Sequence, residues 1–411
     1  MRVLFLHNNF PGQYRRIMSY LQNDPLIEDM VACTLETNEQ KFPLKKVVYK
    51  PHREVTKGIH PAAASFESSI INAQNVFQQL MGLKNRGWNP DLICGHSGWG
   101  PTLFLRDLWP DARMLTYFEW WYNSVGSDTE FLSQKPSTPD ERVRLRMKNA
   151  TFLADLAIMD WGQCPTRFQH GQFPKLFRDS IEVLHDGVDV DYFAPDPAKE
   201  DSFTLGDKTF KRGDEIVTYT TRGMEPYRGF PQFMEALAIL QKERPNVQTI
   251  IVGKDRAAYG AARKDGKTYK EHAFETLDLD ESRIHFTGLV SLRDLRSIWR
   301  VSSVHTYFTV PFVLSWSMIE AMSTGVLLLG SDTAPVREIV EDGKNGMLVD
   351  FWDPQAMAAK MGEAISKQQK FASLRTQARQ TVLERYSAKH LLPAHRQLMA
   401  DVASGLKSCR D

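Results

Sequence analysis

Residues 309–349, TVPFVLSWSMIEAMSTGVLLLGSDTAPVREIVEDGKNGMLV, decide the reading of this chain. Pro311 and the apolar residues after it discourage an early helix. Ser315 and Ser317 then offer capping hydroxyls just before Met318, Ile319, Ala321 and Met322 set up a helical repeat. The first turn of such a helix carries unpaired N–H groups and the positive end of the dipole, so the turn at Phe312, Val313, Ser315, Trp316 and Ser317 suits an anion such as a diphosphate. Glu320 falls one turn inside the same helix among apolar neighbours, where a carboxylate needs hydrogen-bond donors, and ribose hydroxyls would supply them. A buried helix with a capped start and one acid reaching solvent fits this segment equally well.

On either side, strand-like runs alternate with helical patterns in two series. The first comprises Val3–His7, Met30–Thr34, Leu92–Gly95, Met114–Phe118, Leu156–Asp160 and Ile181–Leu184. The second comprises Ile216–Thr220, Thr249–Val252, Ile284–Thr287, Val304–Tyr307 and Val326–Leu329, with helices such as Pro231–Lys242 and Leu292–Trp299 between strands. This alternation predicts parallel sheets covered by helices on both faces, and two series predict two doubly wound α/β domains. The expected divisions are 1–193, 194–385 and a helical segment 386–411 that returns to the first domain, its helix interrupted near Pro393. The polar, Pro- and Gly-containing stretch 194–215 reads as the connector.

Composition narrows the function classes. The 411 residues hold 51 Lys and Arg against 50 Asp and Glu, so net charge gives no reason to expect a nucleic-acid partner. The basic run KVVYKPHREVTK (46–57) reads as a solvated loop. The four cysteines, Cys33, Cys94, Cys164 and Cys409, show neither zinc spacing nor a disulfide framework, which fits a reducing cytoplasm. No segment approaches the roughly 20 apolar residues of a membrane span, and the N-terminus lacks a signal peptide's apolar region, leaving at most peripheral membrane contact.

In open α/β sheets, ligands bind beyond the carboxyl ends of the strands, so the residues following each strand are the candidates for chemistry. Gly12, in HNNFPGQYRR, allows close backbone approach or makes a simple strand-to-helix turn. His96, in GHSGWGP, is a functional histidine or a hydrogen-bonded turn residue. Glu119 lies among Phe118, Trp120, Trp121 and Tyr122, an arrangement that suits sugar stacking and hydroxyl recognition but also a structural acid. Arg222 and Arg228, in TTRGMEPYRGF, could converge on a diphosphate with no metal present, although either alone would also suit the surface. Gly288, Leu289 and Val290 form a plausible edge for a base, or a tight turn before a helix capped by Ser291.

In this order the segments resemble the large family of retaining glycosyltransferases with the GT-B fold that includes sucrose-synthase-like and bacterial polysaccharide or lipid glycosyltransferases. VLHDGVDVDYFAP (183–195) is similar to the family's hinge segment, with Asp186 in place of the usual Asn. TTRGMEPYRGF (220–230) is similar to its donor-phosphate loop, with Arg222 retained and Arg228 replacing a lysine. HFTGLVSLRDL (285–295) and REIVEDGKNGMLV (337–349) match later loops, while LFLHNNFPGQYRR (4–16) followed by YFEWWY (117–122) resembles one subgroup.

The resemblance implies two Rossmann-like domains facing across a cleft and transfer of a sugar from a nucleoside diphosphate sugar to a hydroxyl acceptor, with retention and without a metal or other cofactor. A UDP-sugar is favoured over a GDP-sugar by family frequency, and the acceptor is a glycan, a lipid-linked sugar or a small molecule. The departing phosphate oxygen would help deprotonate the acceptor, stabilised by Arg222 and Arg228, while Glu119 and His96 position the sugar or acceptor. The family's pair of acids separated by seven residues maps onto Phe312 and Glu320, so Glu320 would hold the ribose and the first acid is missing. That departure keeps a second reading open, a nucleotide-binding scaffold without turnover. A nucleotide-sugar epimerase is a third.

Overall fold

The computed structural model describes residues 1–196 and 201–410, so 197–200 of the expected connector lie outside the described residues. The chain forms two compact units, one of residues 1–187 with 388–411, the other of residues 188–387.

The first unit holds seven strands, β1 (Arg2–Leu6), β2 (Asp29–Leu35), β3 (Lys45–Tyr49), β4 (Leu92–His96), β5 (Arg113–Tyr117), β6 (Trp161–Cys164) and β7 (Ile181–Val183). All pair in parallel, in the order β3-β2-β1-β4-β5-β6-β7. Because side chains alternate across a strand, β1 serves two cores. Val3 and Phe5 join Tyr14, Ile17 and Leu21 with Leu398, Met399 and Val402 of the C-terminal helix, whereas Leu4 and Leu6 join Val76, Leu80 and Leu83 of the helix Ala64–Asn85. The C-terminal helix, Ala388–Ala403, runs unbroken through Pro393, contrary to the expected interruption. Pro393 is exposed and has no N–H to donate to the carbonyl four residues before it, yet the helix continues through it. Two further contacts fasten this helix: Arg396 with Asp24, and His395 Nε2 with the His185 carbonyl at 3.0 Å.

The second unit begins with an antiparallel hairpin, β8 (Ser202–Leu205) and β9 (Lys208–Lys211). A parallel sheet follows, of β10 (Ile216–Gly223), β11 (Gln248–Lys254), β12 (Ile284–Gly288), β13 (Val304–Tyr307), β14 (Leu328–Ser331) and β15 (Met347–Val349), in the order β12-β11-β10-β13-β14-β15. Each sheet grows outward in both directions from its first strand, as a doubly wound Rossmann-like unit does, and leaves a switch point between β1 and β4 and between β10 and β13.

Several expectations needed correction. Residues 156–160 are not a strand: Phe152, Leu156 and Met159 follow helical spacing, and the helix Ala150–Ile158 precedes β6. The basic run starting at Lys46 is partly edge strand β3, whose outward lysines blunt an unpaired edge. The hairpin lies inside the expected connector. Gly206 at φ +62° makes its tight turn, and Phe203 and Phe210 cover Ile216 and Ile250.

Burial pulls the imidazoles of His185 and His395 down to about 3 and about 4 from 6.5, with Arg16 also lowering His185. Their contribution to stability is therefore complete above about pH 6.5 and lost as pH falls through 6.5 towards 4. The unfolding temperature should drop across that window, and less steeply in His395→Gln. Equal slopes for the two proteins would assign the acid loss to other groups.

Candidate functional site

In the first unit, the candidate residues lie at the end of β4 and on the loops after β1 and β5. Asn9 N–H donates to His7 Nδ1 at 2.9 Å, so His7 Nε2 carries the hydrogen donated to Gln13 Oε1 at 2.8 Å. The Gln13 amide then donates to Glu119 Oε1 at 2.8 Å and approaches His96 Nε2 at 3.4 Å. His96 Nδ1–H is directed at the Ser97 carbonyl at 2.8 Å, and burial pushes its pKa down to about 4. His96 is accordingly neutral, and its 3.8 Å approach to Glu119 is not an ion pair. Its ring lies flat on Trp99, with centroids 4.2 Å apart, and His7 meets both rings edge-on. Neighbouring histidine and carboxamide groups with assigned protons can orient hydroxyl ligands, and the half-buried Glu119 carboxylate can accept from them.

Tight backbone packing holds these loops. A Cβ on Gly12, at φ +47°, would come 2.4 Å from the His7 ring, and one on Gly100 would come 2.0 Å from the Ser69 carbonyl oxygen. Asp155, fully buried, accepts from Ser97 Oγ and Thr102 Oγ1, both at 2.6 Å, and burial raises its pKa to about 6. Trp120 and Trp121 depart from the sugar-stacking expectation. Both are buried, Trp121 beside Phe152 and Phe173 and Trp120 beside Phe168, so they support the loop from below, and Trp99 is the half-buried aromatic ring of this cluster.

In the second unit, the two arginines differ in exposure. Arg222 is exposed, but Arg228 is buried, and its Nη1 donates to Tyr307 Oη at 3.1 Å, Thr309 Oγ1 at 2.9 Å and the Val313 carbonyl at 3.0 Å. Its guanidinium lies over Tyr259, 5.0 Å from the ring centroid. Burial works against its charge, yet the phenol oxygens of Tyr307 and Tyr259 raise its pKa above the ordinary arginine value. Among the described residues no carboxylate pairs with it. A buried cation held by neutral oxygens alone remains available to an anion.

Arg228 fixes the turn before the helix Trp316–Ser323, whose cap is Ser315, accepting from Ser317 N–H. Ser315 N–H in turn donates to Tyr307 Oη at 2.8 Å. Among the described residues no acceptor meets the N–H groups of Val313 and Leu314. Glu320 is buried inside this helix. Phe312 packs edge-on against Tyr227 and Tyr259, with centroids 5.2 and 5.3 Å away. Gly288 adopts φ +66°, Leu289 is two-thirds exposed and Val290 half-buried; Gly288 and Leu289 line an open pocket of about 450 Å³ with Met224, Lys254, Lys270 and Phe286.

Sequence reasoning missed His7, Gln13, Trp99, Glu225 and Tyr259. Glu225 is fully buried and accepts from Tyr259 N–H at 3.0 Å and Gly260 N–H at 2.7 Å, which seats Tyr259 on Arg228. The position of His7 and Gln13 next to a strand end was the one local signal.

Two Rossmann-like units in one chain, with candidate residues at the carboxyl ends of both sheets, define the GT-B fold. The comparisons agree. Residues 28–193 match the family described as "Glycosyl transferase family 4 group" and residues 214–367 match "Glycosyl transferases group 1". Anabaena HepE, crystallised with UDP and glucose, is 15% identical with a TM-score of 0.66, over 98% of this chain and 100% of its own. Sucrose-phosphate synthase from Thermosynechococcus elongatus is 14% identical with a TM-score of 0.67, over the same shares. Putative glycosyltransferase EpsD of Bacillus subtilis is 24% identical over 53% of this chain and 52% of its own. A phosphatidyl-myo-inositol mannosyltransferase of Mycolicibacterium smegmatis is 27% identical over 46% and 44%. The chain spans about half the length of the curated relatives it matches. It belongs to the GT-B glycosyltransferases, the large family that includes sucrose-synthase-like and bacterial polysaccharide and lipid glycosyltransferases.

Among the described residues no helix is long and apolar enough to cross a membrane, and no group of three or more His, Cys, Asp or Glu is placed to hold a metal ion.

Gly12→Ala should lose about 1–3 kcal/mol through overpacking against His7, added to the strain of a left-handed backbone. Gly58→Ala, at φ +82° with nothing within 4 Å of its Cβ, carries the strain alone. Thermal unfolding of both variants separates the two effects, and equal losses would mean that His7 yields freely.

Proposed function

We propose that the chain transfers a sugar from a nucleoside diphosphate sugar to a hydroxyl acceptor, with retention at the anomeric carbon and without a metal. The observation that carries this reading is Arg228, a buried cation with no carboxylate partner among the described residues, beside the unmet N–H groups of Val313 and Leu314 and the capped start of the helix Trp316–Ser323. A diphosphate meets all of these groups. In the reaction the bond from the anomeric carbon to the phosphate oxygen breaks and the acceptor oxygen bonds to the same face. The acceptor's proton passes to the departing phosphate oxygen. Arg228 and the exposed Arg222 offset the charge that develops there, and Glu320 takes the ribose hydroxyls.

Donor binding is assigned to the second unit. Acceptor recognition is assigned to the first, where Glu119, Gln13 and His96 orient sugar or acceptor hydroxyls. A UDP-sugar is favoured, in keeping with the nucleotide bound to HepE, and a GDP-sugar is the alternative, as a GDP-mannose-dependent mycobacterial relative illustrates. The acceptor class is a glycan, a lipid-linked sugar or a small molecule, placing the reaction in glycan or glycoconjugate synthesis in the cytoplasm or at the membrane's inner face. Phe312, where the family carries an acid, favours a second reading in which nucleotide binds without turnover.

Thermal unfolding with UDP, GDP and ADP tests the binding site, because a ligand at about 100 times its Kd stabilises by roughly 2.7 kcal/mol. One nucleotide should raise the midpoint, and Glu320→Gln should reduce that gain. No rise with any of them would remove the donor site. Arg222→Ala, at an exposed position, should leave the fold intact and lower turnover by about 10²-fold. Unchanged turnover would exclude the arginine from charge stabilisation, and binding without transfer across a broad donor and acceptor panel would establish the second reading.

A further inference from the structure

We infer that the helix Pro139–Lys148 of the first unit docks on the anionic lipid surface of a membrane, which of the two locations proposed above favours the second. The helix reads PDERVRLRMK, and a capping box seats it: Glu141 N–H donates to Thr138 Oγ1 at 3.3 Å, and the Glu141 carboxylate accepts from Thr138 N–H at 2.7 Å. Of its side chains, Leu145 is the one that is buried. At about 100° per residue, the line opposite Leu145 falls midway between Val143 and Met147, about 20° from each. These two are 44% and 38% exposed. Arg146 and Arg142 lie on one flank of that line, at about 80° and about 120°, and Arg144 and Lys148 lie at the same angles on the other. The helix therefore shows solvent an apolar crest with two exposed cations on each side.

The charges on this face are unspent. Among the described residues none of Arg142, Arg144, Arg146 and Lys148 forms an ion pair, and Lys148 lies over the Tyr122 ring, 4.8 Å from its centroid. The neighbouring acids are committed. Asp140 and Glu141 occupy the first turn, where they offset the helix dipole, and Glu130 of the preceding helix accepts from the Gly126 and Ser137 N–H groups, both at 2.7 Å. With 51 basic and 50 acidic residues, the chain as a whole has little attraction for anions, so attraction arises where cations are gathered. The crest decides what kind of anion fits. A soluble polyanion would engage the arginines and leave Val143 and Met147 in water. The headgroup layer of a bilayer takes both, because basic stems lie along an apolar boundary while their heads reach phosphates. Each basic side chain at an anionic leaflet strengthens binding about fivefold.

Co-sedimentation of the full chain with vesicles, in the absence of nucleotide, tests this contact separately from sugar transfer, so that either can fail alone. The chain should bind vesicles of phosphatidylcholine that contain phosphatidylglycerol and should not bind vesicles of phosphatidylcholine alone. Arg144→Gln with Arg146→Gln should weaken binding about 25-fold without lowering the unfolding temperature, since both side chains are exposed. Lys264→Gln with Arg293→Gln, which removes two exposed charges from the second unit, should leave binding unchanged. Val143→Ser with Met147→Ser should also weaken vesicle binding. Equal binding to both kinds of vesicle, binding to neither, or equal losses in the two charge variants would overturn the inference. So would a crest variant that binds anionic vesicles as the native chain does; if heparin then bound as tightly as the vesicles, the helix would be a site for a soluble polyanion.

Discussion

One buried positive charge organises the second unit. Placing a guanidinium out of water costs several kcal/mol unless its hydrogens find oxygens, and Arg228 finds them on the last residue of β13 and at two points of the loop after it, the Thr309 hydroxyl and the Val313 carbonyl. Satisfying the cation therefore sets the path of the chain from Tyr307 to Ser315 and the point at which the helix carrying Glu320 begins. The same neutral oxygens leave the charge unspent, which separates a site of this kind from an ordinary buried ion pair. Tyr259, seated by Glu225, closes one side of the guanidinium with a ring.

The first unit follows a different logic, with polarity passed along a line of neutral groups. His7 and His96 each have a determined role as donor or acceptor because a backbone group fixes one end of each imidazole, and Gln13 is oriented in turn by the side chains of His7 and Glu119. Glu119 receives the last amide hydrogen and retains acceptor capacity towards solvent. The glycines around this line have a steric purpose. Gly12 lets the turn close on the His7 ring, and Gly100 lets its loop touch the backbone at Ser69.

The sheets were legible because strands buried on both faces read as unbroken apolar runs, as VLFL does in β1. Residues 156–160 misled because a short apolar run looks the same in a helix end and in a strand, and β3 was hidden because just one of its residues is buried. Within the site, the helix cap at Ser315 and the buried acid at Glu320 carry local signatures, and the sequence reading found both. Trp120 and Trp121 did not resolve, since aromatic residues that line a pocket and those that support it have the same composition. Glu225 and Tyr259 were invisible for another reason: their partnership spans 34 residues and exists only after β10 and β11 pair.

The C-terminal helix has a bearing on how the chain is made. Leu398, Met399 and Val402 complete a core that Val3, Phe5 and Ile17 begin, so residues made before the second unit must wait for residues made after it. Throughout synthesis of residues 188–387 one face of the first sheet lacks its cover, while the second unit already holds every strand of its own sheet before that cover arrives. During that interval the nascent protein displays an apolar surface formed by residues destined for its interior, the kind of surface that holdase chaperones bind.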